Sequence, residues 1–376
     1  MTARTRHYLV TPAGVGNYGD ELIAKMWLRH LAKVAPDAEV VIDCAGPDVV
    51  ARRLQGIHPR VRFVATLWRL CAFMCMDKNV EESVAFVERS VADPASVPDL
   101  TEGIEELRRA DTIHIVGGGF INSHFARLLS MLAAAPAAAA HSGALTAFTG
   151  QGLWPLAPGT EDLARRLISR FGIADVRDSV TYDFLKGIDA AVQSPDDMFL
   201  NISPDLFRAD ADAPEVMVSL QTKFSEVDTS DLVDYVAGMV KAWGVDRVGL
   251  IESSPDFDKE VMELAEQRMP VARRYTMDEL LESGLPASPG QTWIATRFHP
   301  HLFAAARGAS GVAVSIAPDY LGVKHRSLLE CGSRWTLVEK LEGVPERPTQ
   351  GGFTPAELEG LRVAKAKIAD RIYPAS

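Results

Sequence analysis

The stretch Thr112-Ile-His-Ile-Val116-Gly-Gly-Gly119 decides the fold. A short apolar and β-branched run that ends in glycines is typical of a strand buried on both faces and followed by a tight turn. The pattern recurs at Ala144–Thr149, which runs into Gly150-Gln-Gly152, and at Phe171–Val176, which runs into Arg177-Asp-Ser179. Strand, turn and helix repeated in this way predict a parallel sheet covered by helices on both faces.

The alternation extends outward from this centre in both directions. Toward the N-terminus, His7–Val10 and Glu39–Asp43 are predicted strands, and an amphipathic helix is predicted from about Asp20. Toward the C-terminus the pattern starts again after a polar, proline-containing linker at Ser203–Pro214. The predicted strands of this second half are Val216–Leu220, Arg247–Ile251, Trp293–Thr296 and Val312–Ile316, and its predicted helices are Asp231–Trp243, Asp258–Arg268, Pro300–Ala306, Tyr320–Glu330 and Pro355–Ile372.

The length and composition set the number of domains. The chain has 376 residues, which is more than one hydrophobic core usually supports. We therefore expect an α/β protein with an N-terminal Rossmann-like domain over 1–205 and a C-terminal Rossmann-like domain over 206–350. The helix at 351–376 could pack back on the N-terminal domain. Hydrophobic residues make up 47% and charged residues 24%, values that exclude a disordered chain or a coiled coil.

The charge balance limits the ligands. Lys and Arg number 39 and Asp and Glu number 50, so the net charge is −11. Because an acidic chain repels phosphate backbones over long range, we expect no nucleic-acid partner. Any anionic ligand must be bound by a local group of basic residues.

The N-terminal sequence and the cysteines indicate the compartment. The N-terminus runs directly into a strand pattern without the apolar region of a signal peptide, and the apolar stretch Leu128–Ala140 is too short to span a bilayer. Cys71 and Cys75 lie in an apolar run without a second Cys or His pair, which predicts buried structural thiols. We expect a soluble cytoplasmic protein with at most peripheral membrane contact.

The loop Gly14-Val-Gly-Asn17-Tyr-Gly-Asp20-Glu21 follows the first predicted strand. Its G-x-G-x-x-G spacing, with Asp43 after the next strand, fits a dinucleotide-binding turn, but the motif is weak alone. Asp20 and Glu21 would also repel a pyrophosphate at the helix start. A plain tight turn is a second interpretation. The third, which we favour, is an acceptor-binding loop in which Asn17, Asp20 and Glu21 form hydrogen bonds with hydroxyl groups.

Two further loops could line a binding site. Gly118 and Gly119 follow a buried strand, where glycines usually permit close approach of backbone or ligand, although a plain turn is the alternative. Gln151 and Trp154, after the next strand, are a candidate polar contact and a candidate stacking wall. His124 could reach the same crevice, or could lie on a helix surface.

Arg297 and His299 follow the predicted strand Trp293–Thr296 and carry the strongest chemical signal in the chain. A guanidinium binds a carboxylate or phosphate through two parallel hydrogen bonds, and a nearby imidazole transfers protons near neutral pH. Lys324 follows the next strand and could add positive charge. Arg177 could assist or could belong to a helix cap. A surface Arg-His pair in a loop is the alternative to a catalytic pair.

Taken together and in order, the motifs resemble those of the polysaccharide pyruvyl transferases over roughly residues 8–332. The resemblance implies a GT-B-like fold of two facing Rossmann-like domains with parallel sheets. It also implies transfer of the pyruvyl group of phosphoenolpyruvate to sugar hydroxyls of a glycan or glycolipid, with formation of a ketal and release of phosphate. The motifs that carry it are Gly16-Asn-Tyr-Gly-Asp-Glu-Leu-Ile23, Gly117-Gly-Gly119, Gly150-Gln-Gly152, Arg177-Asp-Ser179, Arg297-Phe-His299 and Tyr320 with Lys324.

The resemblance assigns roles to the candidate residues. His299 is the expected general acid, Asp20 the expected base for the acceptor, and phosphoenolpyruvate is the co-substrate, with no metal or other cofactor. The N-terminal domain would bind the acceptor and the C-terminal domain the donor. The expected phosphoenolpyruvate ligands are Arg297, Lys324 and Arg177, and the expected acceptor ligands are Asn17, Glu21, Gly118, Gly119, Gln151, Trp154 and His124.

Two departures and two alternatives remain. Trp154 stands where the family usually has glycine, which implies an altered acceptor, and His301 stands near a position that is usually aliphatic. The alternatives are a GT-B glycosyltransferase that uses a nucleotide sugar, and a non-catalytic protein that binds sugar or phosphate. The sequence leaves the oligomeric state open.

Overall fold

The computed structural model describes residues 4–374. Contacts group the chain into two compact units. The first unit extends to Val15, from Asp20 to Leu200 and from Val363 onward, and the second comprises Gly16–Gly19 and Asn201–Arg362. The sequence places the boundary at 205/206, and the contacts place it between Leu200 and Asn201. None of the helices in the described part of the chain combines the length and the apolar character that a membrane span requires.

The first unit contains a seven-stranded sheet in which every pair of neighbours is parallel. Its spatial order is β3-β2-β1-β4-β5-β6-β7, so the direction of winding reverses between β1 and β4. The strands are β1 Arg6–Thr11, β2 Glu39–Cys44, β3 Val61–Val64, β4 Thr112–Ile115, β5 Leu145–Gln151, β6 Ile173–Val176 and β7 Ala191–Gln193.

Helices connect these strands. Apolar side chains of the sheet and of the helices form one continuous core, which includes Cys71 and Cys75 as buried thiols, as expected. The helices are α1 Tyr18–Val34, α2 Pro47–Leu54, α3 Thr66–Trp68, α4 Val80–Ala92, α5 Thr101–Leu107, α6 Met131–Ser142, α7 Glu161–Ile168 and α8 Ser179–Phe184, with short 3₁₀ or π turns at Arg69–Phe73, Pro94–Ser96, Pro98–Leu100, Ser123–Ser130, Asp197–Leu200 and, at the start of the second unit, Pro204–Leu206.

The second unit repeats the same topology with six parallel strands. Its order is β10-β9-β8-β11-β12-β13, so the winding reverses between β8 and β11. The strands are β8 Val216–Ser219, β9 Val248–Ile251, β10 Val271–Tyr275, β11 Thr292–Ala295, β12 Ser310–Val314 and β13 Thr336–Val338. The helices are α9 Thr229–Ala242, α10 Pro255–Arg268, α11 Met277–Ser283, α12 Phe298–Ala306 and α13 Val323–Glu330, with a π turn at Pro318–Gly322. The last helix, α14 Pro355–Ile372, begins in the second unit and belongs to the first unit from Val363.

The nine strands predicted from sequence are all present, and the four that the pattern missed lie toward the sheet edges. β3 and β7 are the edges of the first sheet, and β10 and β13 are the edges of the second. Edge strands are short and only partly buried, so they lack the continuous apolar run of a central strand. In β10, for example, the sequence is Val-Ala-Arg-Arg-Tyr.

Candidate functional site

In open α/β sheets, ligands bind outside the carboxyl ends of the strands, at the point where the winding reverses. In the second unit this point lies between β8 and β11. Arg297 and His299 follow β11, and Lys324 follows β12, the next strand in the sheet. The topology therefore puts the strongest candidates from the sequence at one edge of one sheet.

Arg297 is the cap residue of α12, and only 8% of its surface is exposed. Its Nη2 donates a hydrogen bond to Oδ1 of Asp258, a fully buried residue in the first turns of α10. The other oxygen of Asp258 accepts the backbone N–H groups of Ser253 and Ser254, at 3.0 and 2.9 Å. Asp258 thus holds the guanidinium in one orientation. Sequence reasoning missed this acid, although it lies just after a predicted strand at a helix start.

His299 occupies the first turn of α12 and is half-buried. Phe298 contacts its ring edge-on with centroids 5.0 Å apart, and Phe303 stacks on it at 6.2 Å. Gly19 lies directly against the imidazole, because a Cβ built on Gly19 would be 1.7 Å from Nδ1. The absence of a side chain at Gly19 is therefore what makes room for the His299 ring.

The segment Gly16–Gly19 is fixed within the second unit by several contacts. The Tyr18 N–H donates to the carbonyl of Ser253 at 2.8 Å, and the buried Tyr18 ring packs edge-on against Phe303 at 5.9 Å. Oδ1 of Asn17 accepts the N–H of Gly19 at 3.1 Å. Asn17 and His299 are thus candidates that one unit brings into the same neighbourhood.

Lys324 lies in the first turn of α13 with its Nζ 3.8 Å from the centroid of the Tyr320 ring. Tyr320 is buried in the preceding π turn. A cation over an aromatic face is attracted by the ring electrons and is held in a defined position. The spacing Tyr320 to Lys324, singled out from the sequence, therefore corresponds to a direct contact.

His301 is two positions from His299 in the sequence, but it is fully buried in α12 and packs among other buried residues. Its ring stacks on Trp335 at 4.2 Å, and its nitrogens lie 3.0 Å from Nδ1 of His325 and 2.8 Å from Oγ of Ser333. Burial, and after it the neighbouring His325, lowers the pKa of His301 well below its ordinary value. His301 is thus a neutral core residue that joins α12 to α13.

The acids at the start of α1 belong to the first unit and differ in exposure. Asp20 is half-buried in the first turn. Glu21 is only 2% exposed, and its Oε1 accepts the N–H of Gly14 at 2.8 Å and lies 3.1 Å from Nη1 of Arg53. Glu21 therefore stabilises the glycine loop itself. Its expected contact with an acceptor stays a prediction.

Asp197 explains one glycine that follows β4 and one near the end of β5, where the strand runs two residues further than the predicted end at Thr149. This buried carboxylate accepts hydrogen bonds from the N–H of Gly117 at 2.8 Å and from Oγ1 of Thr149 at 2.6 Å. A Cβ built on Gly117 would lie 2.7 Å, and one on Gly150 2.6 Å, from an Asp197 oxygen. These two glycines are therefore required by packing inside the domain. Sequence reasoning missed Asp197, for which no local motif exists.

Lys365 of α14 completes this buried polar cluster. Its side chain is fully buried, and its Nζ lies 2.6 Å from Oδ2 of Asp175 and 3.0 Å from Oδ1 of Asp197. Burial disfavours the charged amine, but the two carboxylates outweigh it, so the pKa of Lys365 lies above its ordinary value. The C-terminal half of α14 thus belongs to the first unit through a charged contact.

The remaining glycine-loop candidates line the same edge of the first sheet. Gly118, with φ +155°, has a backbone carbonyl that accepts the N–H of Gly152 at 3.0 Å, while the Gly119 carbonyl accepts Nδ2 of Asn122 at 2.6 Å. Gln151 is buried, and its amide donates to the Val116 carbonyl at 2.8 Å. Gln151 therefore joins β5 to β4, and its role as an acceptor ligand stays a prediction.

Three further candidates have defined positions in the first unit. Arg177 is buried and forms an ion pair with Asp196, with Nη1 and Oδ2 2.7 Å apart. Trp154 is half-buried, with its ring 6.4 Å from that of Phe184. His124 is exposed. These contacts do not test the ligand roles, which stay predictions.

Asp43, the acid that suggested a ribose contact, is fully buried. Its Oδ2 accepts the Tyr8 hydroxyl at 2.7 Å and the N–H of Leu67 at 2.6 Å. Burial raises the pKa of Asp43 to about 7. A residue engaged in this way inside the core offers no surface to a dinucleotide. Over residues 4–374, no three His, Cys, Asp or Glu side chains are grouped closely enough to hold a metal ion.

The topology of the two sheets and the cationic edge of the second define a class of two-domain α/β proteins with a GT-B-like fold. The structure is similar to the UDP-GlcNAc 2-epimerase from Neisseria meningitidis bound to UDP-GlcNAc, with a TM-score of 0.57 and 10% identity over 98% of this chain and 99% of that chain. It is also similar to a putative UDP-N-acetylglucosamine 2-epimerase from Listeria monocytogenes, with a TM-score of 0.53 and 12% identity over 100% and 92%. These likenesses confirm the fold class alone.

The family is decided by the sequence as a whole. The model of the family described as polysaccharide pyruvyl transferase matches residues 17–318. The chain belongs to this family, as the order of its motifs indicates, and the family is one of transferases that act on polysaccharide. No curated protein matches the chain.

Proposed function

We propose that the protein transfers the pyruvyl group of phosphoenolpyruvate to two hydroxyls of a sugar in a glycan or glycolipid, forming a pyruvyl ketal and releasing phosphate. One observation supports this most directly. Arg297 and His299, with one residue between them, lie at the reversal point of the second sheet, and Lys324 follows the adjacent strand. Phosphoenolpyruvate carries a carboxylate and a phosphate, so its site needs cations beside a proton donor.

Arg297 and Lys324 differ in the anionic group that each is suited to bind. The planar guanidinium of Arg297, held by Asp258, matches the planar carboxylate of the donor. The ammonium of Lys324 is a compact point charge that suits a phosphate. Arg177 is the third donor ligand in the proposal. If both ends of the donor are bound, its two enol carbons lie at a fixed position relative to the first turn of α12, which carries His299.

The chemistry needs one proton donor and one base. His299 gives a proton to C3 of the enol, which becomes the methyl group, and a sugar hydroxyl bonds to C2 as it loses its proton to Asp20. A neighbouring hydroxyl then bonds to C2 while the C–O bond to phosphate breaks. The two sugar hydroxyls release two protons in all. One replaces the proton that His299 gave to C3, and the other leaves with the phosphate. The step needs neither metal nor redox cofactor, and phosphoenolpyruvate is the co-substrate.

The acceptor ligands of the proposal are Asn17, Glu21, Gly118, Gly119, Gln151, Trp154 and His124. Trp154 is the residue that would distinguish this acceptor from those of relatives, because a large aromatic ring excludes bulky sugar substituents and stacks on an apolar sugar face. Phosphoenolpyruvate is a cytoplasmic metabolite, so the proposal places the reaction in the cytoplasm.

A phosphate-release assay tests the proposal. Purified protein is incubated with phosphoenolpyruvate and a panel of sugar, glycan and glycolipid acceptors, and mass spectrometry detects the ketal. We expect phosphate release that depends on acceptor and a product heavier by the pyruvyl group. In parallel the panel is supplied with nucleotide sugars. Glycosyl transfer from a nucleotide sugar without phosphate release from phosphoenolpyruvate would overturn the proposal, and so would binding of phosphoenolpyruvate without turnover on any acceptor.

A further inference from the structure

A lysine that the motifs do not include lies at the same reversal point of the second sheet. Lys223 is in the loop after β8, and β8 is the direct neighbour of β11, which leads to Arg297. The backbone N–H of Gln221 donates to Oγ1 of Thr296 at 2.8 Å, which ties the start of this loop to the residue before Arg297. The two loops that flank the reversal point therefore each present a cation.

Aromatic rings connect Lys223 to Lys324. Nζ of Lys223 lies 3.2 Å from the centroid of the Phe257 ring and 5.1 Å from that of Phe224. The Phe224 ring meets the Tyr320 ring edge-on at 5.9 Å, and Tyr320 carries the Nζ of Lys324 at 3.8 Å. Phe224 and Tyr320 thus form an aromatic pair in which each ring lies near one ammonium group, that of Lys223 or that of Lys324.

The backbone at Phe224 shows that this loop is held against its local preference. Phe224 has a φ of +62°, the left-handed region, in which a bulky side chain costs about 1–2 kcal/mol. Such outliers persist only where the surrounding structure determines them, and they cluster at ligand sites. Phe224 is a positioning residue here, because its ring lies between Lys223 and Tyr320.

The charge of Arg297 acts on Lys223. Burial, and after it the charge of Arg297, lowers the pKa of Lys223. Arg297 itself is buried, and its Nε has no hydrogen-bond partner among the described residues. Like charges repel, so Arg297 disfavours the charged form of Lys223 even though Arg297 is itself paired with Asp258. A dianion bound beside Lys223 and Arg297 would therefore raise the pKa of Lys223 again and stabilise both charged side chains.

We propose that Lys223 is a further cation of the donor site, in addition to Arg297, Lys324 and Arg177, and that it binds the phosphate group of phosphoenolpyruvate together with Lys324, while Arg297 binds the carboxylate. This inference rests on the proposed function. It adds one phosphate-binding residue and thereby fixes which end of the donor lies near the lysines and which lies near Arg297. A compact ammonium suits a phosphate, whereas the guanidinium suits the carboxylate.

The chain provides a matched control for Lys223. Lys223 also lines a pocket of about 470 Å³ with the exposed Lys259 and three acids, Asp256, Glu260 and Glu263. Lys259 shares this pocket with the three acids, and none of the ring contacts in the described part of the chain connects it to Phe224 or Tyr320. Lys223→Met keeps an unbranched stem over Phe257 and removes the charge, and Lys259→Met makes the same change beside it.

The experiment compares wild type, Lys223→Met, Lys223→Arg and Lys259→Met. Initial rates of phosphate release give KM and kcat for phosphoenolpyruvate, and inorganic phosphate and oxalate serve as competitive inhibitors for the two ends of the donor. We expect Lys223→Met to raise KM and the inhibition constant of phosphate at least 10-fold. The inhibition constant of oxalate should change less than 3-fold, Lys223→Arg should recover most of the loss, and Lys259→Met should match wild type.

The outcomes separate this inference from the proposed function. If wild type releases no phosphate from phosphoenolpyruvate with any acceptor, the proposed function fails, and this inference fails with it. If wild type is active and Lys223→Met leaves KM and phosphate inhibition unchanged, only the inference about Lys223 is wrong. A rise in the oxalate constant in place of the phosphate constant would overturn the assignment of Lys223 to the phosphate. Equal melting temperatures of the variants establish that a loss is not due to unfolding.

Discussion

Gly19 lies against the imidazole of His299, so close that no residue with a side chain would fit at this position. A Cβ on Gly19 would be 1.7 Å from Nδ1 of the ring, although 280 residues separate the two positions in the chain. The glycine motif near the N-terminus and the Arg297-Phe-His299 motif therefore meet in a single contact. This contact gives the glycine a specific purpose, which is to let the His299 ring adopt its position.

Gly19→Ala tests this contact. The added methyl group must displace the imidazole, so we expect turnover with phosphoenolpyruvate to fall at least 100-fold. Gly16→Ala is the control, because a Cβ at Gly16 has no neighbour within 4 Å, and we expect it to retain activity within about 10-fold despite its φ of +71°. Equal activity of Gly19→Ala and wild type would show that the position of the His299 ring is irrelevant to turnover.

His299→Asn tests the general acid. The amide keeps a polar group of similar size but cannot donate a proton at the required strength, and a positioned acid commonly contributes ~10²–10⁴-fold. We expect kcat to fall by that factor while the KM for phosphoenolpyruvate changes little. His141→Asn is the control, since His141 is exposed in the first unit and should leave kcat unchanged. Retention of wild-type kcat by His299→Asn would exclude the assignment.

Lys365→Met tests the buried cluster of the first unit. Loss of the ammonium leaves Asp175 and Asp197 buried without their shared cation, which typically costs about 3–5 kcal/mol. We expect a lower free energy of unfolding by that amount in chemical denaturation. Lys367→Met, at an exposed position of the same helix, should lie within about 0.5 kcal/mol of wild type. Equal stability of the two variants would contradict the role of Lys365.

Asp43→Asn tests the consequence of burial for pH dependence. With the pKa of Asp43 raised from 3.8 to about 7, folded protein keeps the proton over this range while unfolded protein has lost it. The contribution of Asp43 to the free energy of unfolding therefore falls as the pH rises from about 4 to about 7, by at most about 4 kcal/mol.

The amide of Asp43→Asn is neutral at every pH and can accept the Tyr8 and Leu67 hydrogen bonds. We expect the variant to gain stability relative to wild type between pH 5 and pH 8, measured by denaturation at both values. A difference between variant and wild type that is the same at pH 5 and pH 8 would show that Asp43 does not titrate in this range.

Local pattern was sufficient for the central strands and for some of the helices between them, such as α9 and α10, but it did not locate α11. A strand with neighbours on both sides and helices on both faces must be apolar along its whole length, and Thr112–Ile115 shows this in the sequence. The pattern failed at the edge strand β10, where exposure permits Arg273 and Arg274. The placement of Arg297 and His299 after a strand was also readable, because the residues that follow such strands lie at the edge where ligands bind.

The tertiary structure decided what those residues contact. The sequence by itself determined two Rossmann-like halves, the family, and the catalytic candidates, since periodicity, glycine turns and motif order are local properties. It could not show that Gly117 and Gly150 accommodate Asp197, that Asp258 holds Arg297, or that Lys223 joins Lys324 through two rings. These partners are distant in sequence, and only the packing of the folded chain brings their side chains within a few ångströms.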